Sequence, residues 1–239
     1  MRFCRTELII GNDGIRCLAQ ATVGVFGLGG VGSAAAEALA RSGIGRLILV
    51  DYDDVSRTDI NRQLIAFEST LDRSKVDVMQ NRIKDINPDC DVVGIKEYYK
   101  AENADKFLAH GFDYVVDAID TLPAKIDLMA RCYHEGIRII SAMGAGNKLD
   151  PTKLTVADIS KTHTCPLARK VRLELRKRRI ENGIKTVFSS EQPTYKKIIE
   201  NDNSMEGRRF IPGSTAFVPP VSGYIMASVV VRDILETKR

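Results

Sequence analysis

The sequence predicts an α/β protein built on a doubly wound, mainly parallel sheet, with a C-terminal extension of strands and helices. Two observations carry that prediction. From Ala21 to Met143, short β-branched runs alternate with longer helical patterns, the order a parallel sheet needs when helices make its crossovers. Within that stretch a glycine-rich turn joins an apolar strand to an alanine-rich helix. Composition bounds the answer further: 239 residues, 44% hydrophobic and 28% charged, make one ordinary globular domain, with residues 1–147 as its core and 148–239 as an extension.

The strands read at 22–26, 46–50, 92–96, 113–117 and 137–142. Helices at about 30–42, 74–86, 102–109 and 123–135 fill the gaps, and Asn87-Pro88 closes the second because proline cannot continue a helix. After Lys148 the pattern changes to a strand at 154–159, a basic helix at about 166–181, a strand at 186–190 and a polar loop over 191–213. A last helix, roughly 222–237, carries Ile225, Val229 and Ile234 near one face. The five cysteines (4, 17, 90, 132 and 165) are scattered without a CxxC pair, which excludes a zinc knuckle or disulfide framework and fits a reducing cytoplasm. Arg2 and Arg5 precede no apolar leader, and the longest apolar run, Tyr224 to Val231, is too short to span a membrane. A cytoplasmic protein with no membrane partner is expected.

Gly27-Leu28-Gly29-Gly30-Val31-Gly32 matches GxGxxG in the required setting, after a strand and before a helix. The first glycine permits the tight turn, the second lets backbone approach phosphates, and the third lets helix pack on strand. The helix N-terminus attracts the anion. Asp51 ends the second strand 19 residues beyond Gly32, where it can accept from ribose hydroxyls. A Rossmann-like nucleotide site follows, and the fingerprint alone serves both NAD dehydrogenases and a class of ATP users. The next segment favours ATP. A nucleoside triphosphate carries about four negative charges, and a nucleophile reaches its α-phosphorus only when cations offset them. Arg62 can fork onto phosphate oxygens and Lys75 can supply a point charge from a helix N-terminus. Asp120 lies just beyond the fourth strand, and a hard carboxylate there suits Mg²⁺.

RFCR near the start, VFGLGGVGS, LVDYDDV, NRQ, the SK of residues 74–75 and VVDAIDT together resemble the E1-like adenylating superfamily, which includes the ThiF and MoeB proteins. KLDPTKLTVADISKT, CPLARKVRLELRKR and TVFSSE narrow the resemblance to the tRNA threonylcarbamoyladenosine dehydratases, the TcdA/CsdL-like branch. That resemblance implies an ATP-dependent dehydration of N6-threonylcarbamoyladenosine in tRNA to its cyclic form, through activation of the threonyl carboxylate. It implies ATP binding by Gly27, Gly29, Gly30, Gly32, Asp51, Asp53, Asn61 and Gln63, catalysis by Arg62, Lys75 and Asp120, and Mg²⁺ on Asp120. It also implies a homodimer in which Arg5 reaches into the partner's ATP site, a monovalent cation, and a cysteine desulfurase or sulfur acceptor as companion. One departure is Asp59, where relatives usually carry Asn; it adds negative charge near the phosphates.

Three rival readings stand beside this one. An activator of a ubiquitin-like sulfur-carrier protein typically holds zinc on two CxxC pairs, absent here. An NAD(P) oxidoreductase has only GxGxxG in its favour, and a non-catalytic scaffold subunit would not need Arg5, Arg62, Lys75 and Asp120 together. Cys165 and His163 read as incidental loop residues, the other cysteines as packing groups, and Ser141 to Gly146 either as substrate-side lining or as a plain turn. Residues 169–179 hold seven basic side chains against Glu174 alone. Leu167, Val171 and Leu175 form the inward stripe of that helix, leaving Arg172, Arg176 and Arg179 to contact RNA or simply to face solvent. The 196–209 loop, with Lys196, Lys197, Arg208 and Arg209, is the alternative RNA surface.

Overall fold

Strands form where β-branched residues run together: β1 (Thr22–Phe26), β2 (Arg46–Asp51), β3 (Asp91–Lys96), β4 (Tyr114–Asp117) and β5 (Ile139–Ala142). The computed structural model describes residues 2–194 and 212–237. Beyond the first five strands lie β6 (Leu154–Asp158) and β7 (Lys185–Ser189). All seven join one sheet in the order β3-β2-β1-β4-β5-β7-β6, parallel throughout except for β6, which runs antiparallel to β7 at the edge. The doubly wound, mainly parallel sheet expected from the sequence is the one observed.

Side chains of the inner strands alternate across this sheet and are buried on both faces, as crossover helices require, while the edge strands β3 and β6 are partly exposed. Val23, Val25, Leu47, Leu49, Tyr114 and Val116 pack into one core cluster. There they meet α2 (Gly32–Ser42), α3 (Lys75–Ile86) and α7 (Val218–Thr237) through Leu39, Met79 and Val230. Phe26, Ile48, Val50 and Val115 face the other cluster, supplied by α4 (Ala104–Leu108), α5 (Leu122–His134) and α6 (Pro166–Lys177) through Phe107, Leu128 and Val171.

Helix α1 (Cys4–Ala19) has no counterpart in the periodicity reading. Gly11 leaves the helical region at φ 71°, so two short helical pieces meet at a kink there. α6 stops at Lys177, short of 181, because Arg179 adopts a left-handed φ of 62°. α7 begins at Val218, ahead of 222, because Pro219 and Pro220 fall in its first turn, where a missing N–H leaves no bond unmade. By length and composition α7 is apolar enough to cross a membrane, yet Met226, Val229, Val230 and Ile234 are buried in the core. Most of the predicted 191–213 loop, including Lys196, Lys197, Arg208 and Arg209, lies outside the described residues.

Asp233 fastens α7 to the sheet. Its carboxylate accepts from the Tyr114 hydroxyl of β4 at 2.8 Å and from Lys185 Nζ of β7 at 2.6 and 2.7 Å. Arg138 Nη1 donates to its carbonyl at 2.9 Å. Burial and then this carboxylate push the Tyr114 hydroxyl up, so it stays protonated and donates. Asp233→Ala strands that buried hydroxyl and should cost about 2 kcal/mol. Urea denaturation should show a lower midpoint, with Asp233→Asn intermediate.

Candidate active site

The carboxyl ends of β1 and β4 diverge where the strand order reverses, and a cavity of about 690 Å³ opens there. Its floor is the glycine turn. Gly27 takes φ 88° with its Cα close to the Ala118 carbonyl, and a Cβ on Gly32 would sit 1.7 Å from the Gly27 carbonyl oxygen. Gly32 therefore serves helix packing and does not line the cavity, whereas Gly27, Gly29 and Gly30 do. The Gly29 and Gly30 amides have no acceptor among the described residues. Bare amides at the start of α2 form a cradle for an anion.

Asp51 ends β2 beside this turn, buried, with Oδ2 accepting the Leu28 amide at 2.5 Å and Oδ1 the Asp53 amide at 2.8 Å. Burial raises its carboxyl pKa, and the two amides and Lys75 oppose that rise. Lys75, the first residue of α3, is buried on the cavity wall, its Nζ 3.2 Å from Asp53 and 3.6 Å from Asp59. Arg62 lines the same wall, donating to the Thr58 carbonyl at 2.7 Å, to Asn61 Oδ1 at 2.9 Å and to Asp59 at 3.4 Å. Gln63 Nε2 donates to Asp59 at 2.7 Å. Asp59 thus gathers Arg62, Gln63 and Lys75, and its other bond, from the Ser56 amide, closes a capping box on residues 57–59. The charge it adds near the phosphate cradle is matched within the chain.

Asp120 lines the cavity, is exposed, and has no hydrogen-bond or ion-pair partner among the described residues. No cluster of three or more His, Cys, Asp or Glu side chains forms a metal cage among those residues. One free carboxylate facing a phosphate cradle fits Mg²⁺, which usually binds through one or two carboxylates plus substrate phosphates. Asn61 stands just outside the wall, its Nδ2 donating to the Ser214 carbonyl at 3.1 Å. Arg5 lies exposed on α1, away from the cavity of its own chain.

Met143 to Gly146 line the cavity, which decides for the substrate-side reading of Ser141 to Gly146 over a plain turn, and the wall continues through Asn147 and Lys148, which the sequence did not single out. Buried Cys165 lines it too, its Sγ close to Gly144, together with Leu167 and Lys170 of α6. Tyr52 and Tyr98 form an edge-on pair at the wall, ring centroids 4.9 Å apart. Beneath the site, Lys125, Asp117 and Ser141 are fully buried; Lys125 Nζ donates to Asp117 at 2.6 Å and to Ser141 at 3.1 Å, and Ser141 donates to Asp117 at 2.6 Å. Asp117 also accepts the Ile119 amide at 3.0 Å, which fixes the turn carrying Asp120. A lysine among the apolar residues of α5, eight positions after Asp117, was the available signal.

Along α6, Val171 and Leu175 are buried as the stripe requires, with Leu167 half-buried. Arg172 does not project freely: it is half-buried and donates to the Thr162 carbonyl at 2.8 Å and to the Thr162 hydroxyl. Lys177 and Arg178 are engaged by Glu174. Arg176 and Arg179 are exposed, and their side chains have no partner among the described residues.

The sequence model of the ThiF family matches residues 3–238. A tRNA threonylcarbamoyladenosine dehydratase of Bacillus subtilis (strain 168) is 50% identical, over 98% of this chain and 95% of its own length. The crystal structure of the Escherichia coli tRNA N6-threonylcarbamoyladenosine dehydratase in complex with ATP superposes with a TM-score of 0.90 at 33% identity, covering 99% of this chain and 95% of that one. The sulfur carrier protein ThiS adenylyltransferase of Escherichia coli is 33% identical, over only 62% of this chain.

The buried Lys125–Asp117 pair generates a stability test. Lys125→Met leaves Asp117 charged and uncompensated, which should cost about 3–5 kcal/mol. Combining it with Asp117→Asn should recover part of the loss, as read from denaturation midpoints.

Proposed function

The chain belongs to the ThiF family and, within it, to the tRNA threonylcarbamoyladenosine dehydratases, and from that membership we propose that it cyclises N6-threonylcarbamoyladenosine in tRNA at the expense of ATP. The observation that carries the reading is one cavity that combines bare glycine-turn amides, two cations held by carboxylates, and the unpaired carboxylate of Asp120. That combination suits a triphosphate with Mg²⁺. A nicotinamide dinucleotide has no use for it.

In this reading Gly27, Gly29 and Gly30 cradle the phosphates of ATP, Gly32 shapes the turn, and Asp51 accepts from the ribose. Asp53, Asn61 and Gln63 hold the surrounding wall. Arg62 and Lys75 offset the phosphate charge as the threonyl carboxylate oxygen attacks phosphorus, and Asp120 would hold Mg²⁺, which would supply further positive charge. The new bond makes a mixed anhydride: attack on the α-phosphorus gives an acyl-adenylate and expels pyrophosphate, and attack on the γ-phosphorus gives an acyl phosphate and expels ADP. A carbamoyl nitrogen or oxygen then attacks the activated carbonyl carbon. The carboxyl C–O bond breaks, the phosphoryl group leaves with that oxygen, and the carbamoyl N–H loses its proton. The substrate has lost one water. No step uses a monovalent cation or a sulfur acceptor, the two further companions implied by family resemblance.

Residues 1–147 would hold the nucleotide and 148–239 the substrate side, in a cytoplasmic homodimer with Arg5 of one protomer completing the partner's site. An Arg5 exposed on α1, outside its own cavity, supports that arrangement. The tRNA would lie along α6, where Lys170 reaches the cavity wall and Arg176 and Arg179 are exposed beyond it.

Incubating modified tRNA with the protein, ATP and Mg²⁺ should convert the nucleoside to a product lighter by one water, read by mass spectrometry of a digest. Unchanged tRNA, with pyrophosphate exchange on a Gly-Gly-ended carrier protein instead, favours the sulfur-carrier reading. Mixing inactive Arg5→Ala with inactive Lys75→Ala should restore part of the activity, because exchanged dimers contain one site with both groups intact. No recovery despite demonstrated subunit exchange removes Arg5 from the partner's site. Replacing Arg176 and Arg179 with Ala should flatten the salt dependence of tRNA binding by about 0.7–0.9 per lost phosphate contact. ATP affinity should not change, and an unaltered slope would place the RNA elsewhere.

A further inference from the structure

Three lysines are deeply buried among the described residues: Lys75, Lys125 and Lys148. Lys75 has Asp53 and Asp59, and Lys125 has Asp117. Lys148 has no carboxylate within 4.0 Å among the described residues, although it is only 4% exposed. Its Nζ donates to one neutral acceptor, the Ser189 carbonyl, at 3.3 Å. Cys165 of the same cavity wall and then Glu191 act on it only through space; the Glu191 carboxylate accepts the Leu149 amide at 2.9 Å and the Asp150 amide at 3.0 Å. An ammonium buried without an anion is costly, and burial duly pulls the Lys148 pKa below the ordinary lysine value.

Lys148 lines the same cavity as Arg62 and Lys75, from the segment that follows β5. Pro166 and Leu167, in the first turn of α6, line it too, so the positive end of a three-turn helix meets the cavity beside an unpaired buried cation. The proposed reaction brings a second anion into a cavity that already accepts a triphosphate, and Arg62 and Lys75 are committed to the first.

We propose that Lys148 is the receptor for the threonyl carboxylate of the modified nucleoside, holding it in the cavity for attack on phosphorus. The assignment rests on the dehydratase reading and adds to it the group that selects a free carboxylate. It also gives the segment after β5, whose glycines were open to reading as substrate-side lining, a residue that binds the substrate.

The test compares free N6-threonylcarbamoyladenosine with its methyl ester as competitive inhibitors of tRNA conversion, using the full-length wild-type protein and Lys148→Met. The wild type should prefer the acid by about ten- to a hundredfold, the range expected of a hydrogen bond between charged groups. Lys148→Met should lose most of that preference, with ATP affinity and melting temperature kept near wild type, and Lys148→Gln should retain part of it. Undiminished discrimination in Lys148→Met overturns the proposal. So does a parallel loss of ATP binding and melting temperature, which marks Lys148 as structural. A wild type that converts tRNA without distinguishing acid from ester overturns the proposal alone, whereas one that converts no tRNA overturns the dehydratase reading and the proposal with it.

Discussion

The proposed reaction brings two anions into one cavity, and their repulsion is the constraint that the residues near the carboxyl ends of β1 and β4 would have to meet. Arg62 and Lys75 would offset it only if they are present before the ligand arrives and free to turn toward it. Asp59 provides the first condition: one buried carboxylate reaches Arg62 at 3.4 Å and Lys75 at 3.6 Å while the Ser56 amide and Gln63 Nε2 fix its own position. Those separations are longer than tight charge-assisted hydrogen bonds, which would leave each cation donors for the phosphates of the proposed ligand. An Asn at this position could still accept from Gln63 and Arg62 through its one oxygen, but its amide nitrogen could not accept the Ser56 N–H, and Lys75 would be left with Asp53 alone.

The rest of the fold supplies the frame for that cluster. Alternation of Val23, Val25 and Phe26 between two core clusters fixes β1, and the turn at Gly27 then aims its amides from the end of a rigid strand. Asp51 ties the same turn to the segment carrying Asp53 through two backbone amides. On the other side of the cavity, the Lys125–Asp117–Ser141 network fixes the turn before Asp120 by holding the Ile119 amide. Buried charge of this kind adds little net stability, and its place under the site suits a positioning role. The cysteines beneath these elements are packing groups where they are buried: desolvation pushes Cys90 up to about 11 and Cys132 up to about 12. Cys4 is exposed, and Cys165 belongs to the cavity wall.

Legibility in the sequence followed locality. The glycine turn, Asp51, Lys75 and Asp120 were readable because strand, turn and helix are contiguous, so their neighbours in the chain are their neighbours in space. Strand positions held to within two residues for the same reason. Lys148, Cys165, Tyr52 and Tyr98 reach the cavity only through tertiary assembly, and no spacing between them announces it. Arg172 was placed on the correct helix, but its partner Thr162 lies ten residues back in a loop whose path periodicity does not encode. Helix α1 was missed because Gly11 breaks it in the middle, and Leu8 and Ile9 stand exposed where an inward stripe would have revealed it.

The account stands on Arg62 and Lys75 being the cations that permit carboxylate attack on ATP. Turnover of modified tRNA by Arg62→Ala and by Lys75→Ala, each first shown to be folded by its melting curve, measures this directly. Each loss should lower the rate on the order of 10²-fold, as removal of one stabilising contact to transition-state charge does. Wild-type turnover in both folded variants would contradict the account.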